Sequence, residues 1–229
     1  MKPEQPHYHG HRKRLREKFI KNGFEGFADY EIVELLLTLA IPIYDVKEPA
    51  KILIEKFGSL KNIIDAPIEE LQKLKGIGSV TPVAFRIIRE AVTLYLQQSA
   101  EEHDSFIDPQ ALYLFWRMKI GSLSNEVFQL GYLDSGYRLL RDGIETLEIG
   151  IPDRASVYPR QVIESALRRN AAVIVMAHNH PNGNVLPSEQ DKILTRAIVL
   201  AVATVQIKVL DHLVVTANDV FSFRKEGLL

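Results

Sequence analysis

The chain has 229 residues, 46% of them hydrophobic, which is enough to bury a sizeable core in one large or two small domains. Twenty-eight Lys or Arg against 29 Asp or Glu give a formal charge of -1, excluding a uniformly basic nucleic-acid coat and an acidic mimic. There is no cysteine, so disulfide frameworks, Cys-based zinc fingers and thiol nucleophiles are excluded, and a metal site would draw on His and carboxylates. The amino terminus is polar and basic, and no apolar run approaches the ~20 residues that cross a bilayer. The expectation is a cytoplasmic protein with no membrane association.

The first stretch, HYHGHRKRLREKFIKNG, is the most basic part of the chain. Leu15 and Phe19 are spaced to share a helix face, with charges around them. Residues 1–28 read as a basic arm whose Arg12, Lys13, Arg14 and Arg16 contact nucleic-acid phosphates; the plainer alternative is a solvated terminal helix. His7, His9 and His11 alternate, a pattern that fits a disordered tip better than a metal site.

Residues 29–98 read as an all-helical domain. Asp29 is placed to cap YEIVELLLTLA, EPAKILIEKF stops at Gly58, and the short LKNII and PIEELQKL follow. A long amphipathic helix, PVAFRIIREAVTLYLQQ, is entered through Pro82. Between the last two helices, Gly76 and Gly78 flank Ile77, which allows a tight turn and exposes backbone N–H groups at a helix start, a seat for phosphate. The pattern resembles a helix-hairpin-helix, which grips the DNA backbone through Lys75, Gly76, Ile77 and Gly78, with Lys73, Arg86 and Arg89 nearby. The alternative is an ordinary αα corner.

Residues 99–107 are polar, acidic and aperiodic, and read as a linker. From 108 to 229 the pattern is mixed α/β. Asp108 caps a helix carrying Trp116, and EVFQLGYLD (126–134) with RLLRDGIETLEIG (138–150) reads as a hairpin. PRQVIESALRRNA then reads as a helix, AVIVMAHNH as a buried strand, SEQDKILTRAIVLAVATV as a helix, and QIKVLDHLVVTA with VFSFR as closing strands.

The chemistry concentrates in HNHPNGNVLPSEQD, residues 178–191. Side chains two apart on a strand share a face, so His178 and His180 are aimed together at the strand's carboxyl end. Two His and a carboxylate, with water in the fourth position, form a catalytic zinc pattern in which the metal lowers the water's pKa to about 7. Such a site also needs a base, which the spacing alone does not supply. The competing reading is that Ser188 and Asp191 are capping-box residues of the following helix.

These residues carry a family resemblance. H-x-H-x7-S-x2-D is the signature of the JAMM (MPN-plus) zinc metalloproteases, and the chain resembles the bacterial RadC family, often labelled a DNA repair protein. GHRKRLREKF, LKGIGS, YPRQVIESALRRNAAVIVMAHNHPNGN, PSEQD, VLDHLVV and SFRKEG all stand in family order. The resemblance implies a helix-hairpin-helix domain joined to a cytidine-deaminase-like JAMM domain over 108–229. It implies that His178, His180 and Asp191 hold Zn²⁺, that Ser188 assists as an orienting or oxyanion group, and that Glu126 is the general base, ahead of Glu145, Glu148 and Glu164. His212 fits the family pattern as a core or outer-shell group. There are three departures: Asn179 stands where the peptidase branch usually has Ser or Thr, as is usual for RadC-like chains; Tyr158 and Gln161 stand where relatives often show His and Glu; and LAIPIYDVK lacks the glycine that relatives carry in the first helical connection.

The functional expectation is a zinc-dependent hydrolase of amide or isopeptide bonds with a DNA-binding helical domain, acting on a protein or peptide substrate. The alternative is a non-catalytic DNA-binding accessory protein of repair or recombination with a vestigial metal domain. Metal-dependent hydrolysis of nucleic acid is weaker, because only one carboxylate ligand is evident.

Overall fold

A computed structural model describes residues 7–102, 108–150 and 157–229. The chain divides into two compact units, with the boundary at Ala91/Val92 inside a single long helix.

The first unit is helical: α1 (His7–Asn22), α2 (Asp29–Ala40), α3 (Lys47–Phe57), α4 (Leu60–Asp65), α5 (Ile68–Gln72) and the first part of α6 (Val80–Glu102). Its core joins Val33 and Leu37 of α2, Ala50 and Leu53 of α3, Ile63, Leu71, Ile77 and Phe85. Gly58 ends α3 in the left-handed conformation, the helix stop its position in the sequence calls for. The α2 cap differs from expectation: Ala28 is the N-cap, Asp29 is already helical, and the Glu31 carboxylate accepts the Ala28 N–H at 3.0 Å. The Glu31 carboxylate supplies the back-reaching half of a capping box, bonding the N-cap N–H rather than an N–H inside the first turn as an Asp29 cap would.

The basic amino-terminal stretch forms a packed helix, so the disordered tip expected around His7–His11 is corrected within the described residues. His11 Nε2 lies 2.9 Å from the buried Glu34 carboxylate. Arg12, expected to reach phosphate, is 5% exposed and donates to the carbonyls of Pro42 and Tyr44, tying α1 to the α2–α3 connection. Its guanidinium is spent inside the unit; Lys13, Arg14 and Arg16 remain exposed.

The turn before α6 is tight. Gly76 has φ +85°, and a Cβ there would lie 2.9 Å from Pro49 Cγ, whereas Gly78 has an ordinary φ and open space around it. Ile77, counted among the DNA contacts, is 6% exposed and anchors the turn in the core. Lys75 is exposed; Arg89 is buried with its Nε 3.4 Å from Asp65, and Lys73 pairs with Glu70. α6 continues through Glu102, into the stretch read as a linker; residues 103–107 lie outside the described residues. QQSAEE is rich in helix formers, and Ala100 is buried against the Trp116 cluster of the second unit.

The second unit is a five-stranded sheet between helices. Its elements are α7 (Pro109–Ile120), β1 (Glu126–Leu133), β2 (Leu139–Gly150), α8 (Pro159–Arg168), β3 (Val173–Asn179), α9 (Glu189–Ala203), β4 (Lys208–Val215) and β5 (Val220–Ser222). Strand order is β2-β1-β3-β4-β5; β3 and β4 are parallel and the other pairs antiparallel. Asp108 caps α7 by accepting the Gln110 N–H at 2.9 Å. The β1–β2 hairpin turns where Asp134 accepts the N–H groups of Gly136 and Arg138.

Alternation along β3 sorts the two faces. Val173, Val175 and Ala177 pack with Trp116 and Phe115 of α7, whereas Ile174 and Met176 pack with Val162 of α8 and Ile198 of α9. Continuing the count, His178 and His180 fall on the α8–α9 side. No helix among the described residues is long and apolar enough to cross a membrane.

Candidate metal centre

The parallel β3–β4 ladder reaches Asn179↔Val215, and His180 extends it by donating its N–H to the Val215 carbonyl at 3.0 Å. Pro181 then turns the chain away. The loop is braced by its own asparagines: Asn182 Oδ1 accepts the Asn184 N–H at 2.9 Å, and Asn184 Oδ1 accepts the Leu186 N–H at 3.1 Å. Ser188 caps α9, its Oγ accepting the Asp191 N–H at 3.1 Å, while Asp191 Oδ2 accepts the Ser188 N–H at 2.6 Å and hydroxyl at 2.7 Å. The capping box thus positions the carboxylate it uses.

The ligand atoms meet across this loop. His178 Nε2 and His180 Nε2 are 3.2 Å apart, Asp191 Oδ1 is 3.4 Å from the first, and Asp191 Oδ2 is 3.7 Å from the second. A tetrahedral zinc site with bonds of about 2.0–2.1 Å places neighbouring ligand atoms about 3.3–3.4 Å apart; the two imidazoles and Asp191 Oδ1 against His178 come near that spacing, while His180 meets the other carboxylate oxygen at 3.7 Å. The donor chemistry fits too, since two imidazole lone pairs facing each other beside a carboxylate call for a shared cation. Glu126, at the start of β1, joins them: its carboxylate and the two imidazoles offer ligand atoms that lie within 4.8 Å of one another.

Both imidazoles are oriented from behind. His180 Nδ1 donates to the Asn184 carbonyl at 2.7 Å, leaving Nε2 as its acceptor. His178 Nδ1 lies 2.9 Å from His212 Nε2, and His212 Nδ1 lies 2.6 Å from Thr195 Oγ1, whose hydroxyl donates to the Asp191 carbonyl at 2.5 Å. With His178 Nε2 turned to the centre, the protons run one way along this chain, from His178 through His212 and Thr195 to the backbone of Asp191. His212 is 0% exposed, and burial, reinforced by the neighbouring His178, pushes its pKa well below the ordinary value, so it is neutral as the chain requires. The facing Asp191 carboxylate raises His180, favouring a second proton on Nε2 when no cation is bound there. Burial opposes the charge on Asp191, but in the metal-free protein His178 and His180, when they carry a proton on Nε2, together with Ser188 outweigh it and hold the carboxyl below the usual carboxylate range.

The centre opens into a cavity of about 450 Å³. Phe128, Val157, Leu186 and Leu194 supply apolar wall, Asn182, Asn184 and Gln190 supply amides, the carboxylates are Glu126 and Asp191, and the two histidines complete the polar lining. No Lys or Arg lines it among the described residues.

Of the sequence candidates, Glu126, His178, His180, Ser188 and Asp191 all line this one cavity. The competing glutamates lie elsewhere. Glu145 is bound by Tyr132, Ser165, Arg168 and Arg169, Glu164 pairs with Arg160, and Glu148 stands opposite Phe128 on β2 without reaching the cavity lining. Gln161 is a capping residue, accepting the Tyr158 N–H at 3.1 Å. Sequence reasoning missed Thr195 and Asn184: the first reads as one polar residue on an amphipathic helix, and the second acts through its backbone carbonyl, which no side-chain pattern signals.

Comparison with known proteins agrees with this architecture. The RadC-like JAB domain family matches residues 106–228, and the UPF0758 N-terminal family matches residues 9–83. A UPF0758 protein of Fusobacterium nucleatum is 36% identical over 228 residues, covering 96% of this chain and 97% of that protein. One of Pseudoalteromonas translucida is 36% identical over 217 residues, covering 95% and 96%. One of Burkholderia thailandensis is 37% identical over 212 residues, covering 93% and 80%. With a JAB domain built around the His178, His180 and Asp191 cluster and a helical unit of matching type before it, the chain belongs to the RadC-like UPF0758 family.

Proposed function

We propose that this chain is a zinc-dependent hydrolase of amide or isopeptide bonds, carried on a cytidine-deaminase-like JAMM fold and brought to DNA by a helix-hairpin-helix in its helical unit. The observation that carries this reading is the convergence of His178 Nε2, His180 Nε2 and the Asp191 carboxylate near tetrahedral spacing with Glu126 facing them. Zinc held there supplies a Lewis acid for a carbonyl oxygen and an acidified water. His178, His180 and Asp191 serve as its ligands. Glu126 takes a proton from the nucleophile and returns it to the leaving amine. Ser188 lines the cavity and keeps Asp191 in place through its hydroxyl and N–H; serving an oxyanion would require its one hydroxyl proton to turn away from Asp191.

The cavity supports an amide over a phosphodiester. Among the described residues no Lys or Arg lines the cavity to hold a phosphate beside the metal. Apolar walls beside three amide side chains suit a peptide, whose side chains and backbone need both. A second reading, a DNA-binding accessory protein of repair or recombination, is favoured by the exposed Lys13, Arg14, Arg16, Lys75 and Gly78. The two readings are compatible, with the helical unit delivering the hydrolase to DNA-bound protein in the cytoplasm.

The test is zinc content by mass spectrometry on protein without a histidine tag. About one zinc per wild-type chain is expected, with zinc retained in Glu126→Gln and lost in Asp191→Asn, which keeps an oxygen acceptor for the Ser188 N–H cap. Wild type that stays empty after zinc supplementation overturns the hydrolase and leaves the accessory reading.

A further inference from the structure

The residue between the two histidine ligands points the other way. Asn179 lies on the opposite face of β3 from His178 and His180 and is 0% exposed. The backbone ladder between β1 and β3 stops at Phe128↔His178. Beyond it, the Asn179 side chain takes over. Its Oδ1 accepts the Val127 N–H at 2.8 Å, and its Nδ2 donates to the Asn125 carbonyl at 3.0 Å and the Leu123 carbonyl at 3.2 Å.

The residues on either side of Glu126 are therefore both fastened by one amide. We infer that Asn179 is the positioning residue for Glu126: it clips residues 123, 125 and 127 to the strand that carries the histidines, fixing the carboxylate's origin relative to theirs. The inference rests on the hydrolase reading for its purpose, though the clip itself does not depend on metal. The chemistry is specific to an amide, because both Nδ2 protons and Oδ1 are used. A serine offers one donor and a shorter reach, and an aspartate keeps the acceptor but offers the two carbonyls nothing. The bond to Val127 is buried and the Asn179 amide itself is fully covered, so a misplaced polar group there is costly. One three-residue stretch thus aims two ligands from one face of β3 and sets the base from the other.

The test compares zinc affinity, by chelator competition, in wild type, Glu126→Gln, Asn179→Ser and the double variant. Melting of the zinc-free proteins controls for folding. Each single variant is expected to bind zinc about tenfold more weakly, the lower end for outer-shell partners, and the double no more weakly than either single, because Asn179 acts through Glu126. Exchange of the Val127 amide is expected to accelerate in Asn179→Ser. Wild-type affinity in a folded Asn179→Ser, or losses that multiply in the double variant, overturns the inference.

If Asn179→Ser does not fold, the isosteric Asn179→Asp replaces it in the same comparison. Wild type that binds no zinc sinks the hydrolase reading instead. The clip is then judged in the zinc-free protein by Val127 amide exchange and the Glu126 carboxyl ¹³C shift, which change on substitution if Asn179 places Glu126 and stay fixed if it does not.

Discussion

Thr195→Val removes one hydroxyl from a buried position and nearly preserves shape. In the native protein that hydroxyl accepts from His212 Nδ1 at 2.6 Å and donates to the Asp191 carbonyl at 2.5 Å. Without it, His212 Nδ1–H has no acceptor, and a buried donor left unsatisfied costs about 1–3 kcal/mol. The metal-free protein escapes this by reversing both tautomers: His212 carries its proton on Nε2 and His178 carries its own on Nε2, pointing into the centre. That proton occupies the ligand lone pair. The cost therefore falls on the zinc-loaded state, and zinc affinity is expected to drop roughly 10- to 100-fold, the range seen when a partner behind a ligating histidine is removed. Chelator competition measures the affinity and thermal melting of the zinc-free protein controls for stability. Zinc affinity within twofold of wild type refutes the proton chain from His178 to Asp191.

Three further outcomes are expected. Gly76→Val forces a β-branched residue into φ +85° and against Pro49, so it should destabilise the helical unit by roughly 2–4 kcal/mol in urea denaturation; Gly78→Ala, with open space and ordinary φ, should fold normally and report on DNA binding alone. Ser188→Ala removes a cap and a hydrogen bond to Asp191, so melting should show a loss of about 1 kcal/mol together with weaker zinc binding. The Ala28 N–H, followed by Lys18, holds the Glu31 carboxyl below its ordinary value, so its stabilisation is present above the unfolded pKa of about 4.3 and lost as pH falls through the folded one; the stability gap between wild type and Glu31→Gln, followed by urea melts from neutral to acid pH, should close on acidification.

The elements with strong periodicity were legible: α3 ended by Gly58, the hairpin turning at Asp134, the buried β3 and the α9 helix all lie where the pattern puts them. What the sequence did not disclose is which charges are spent internally. Arg12 and Arg89 sit in basic stretches that read as phosphate contacts, yet one feeds two backbone carbonyls and the other pairs with Asp65. Periodicity locates a residue on a helix, but which face meets a carbonyl or a carboxylate depends on tertiary packing. The same limit applies to Asn179, which reads as a departure in the histidine motif and is in fact bonded at three backbone groups.

Ser188 and Asp191 make the point from the other direction, because capping and metal ligation read from sequence as competing explanations. A carboxylate has two oxygens, and Asp191 uses both: Oδ2 receives the Ser188 N–H and hydroxyl and lies 3.7 Å from His180 Nε2, while Oδ1 is turned toward His178. The cap fixes the side chain before any metal arrives. Placement in the first turn of α9 also favours its negative charge through the helix dipole. Asp191→Glu would keep the charge but lengthen the side chain by a methylene, so one oxygen could reach the cap or the centre without both being satisfied in the native geometry. Helix stability and zinc affinity should then fall together in that variant, whereas Asp191→Asn should lose zinc while retaining most of the cap. Separating the two effects by melting and chelator competition tests whether one side chain performs both tasks.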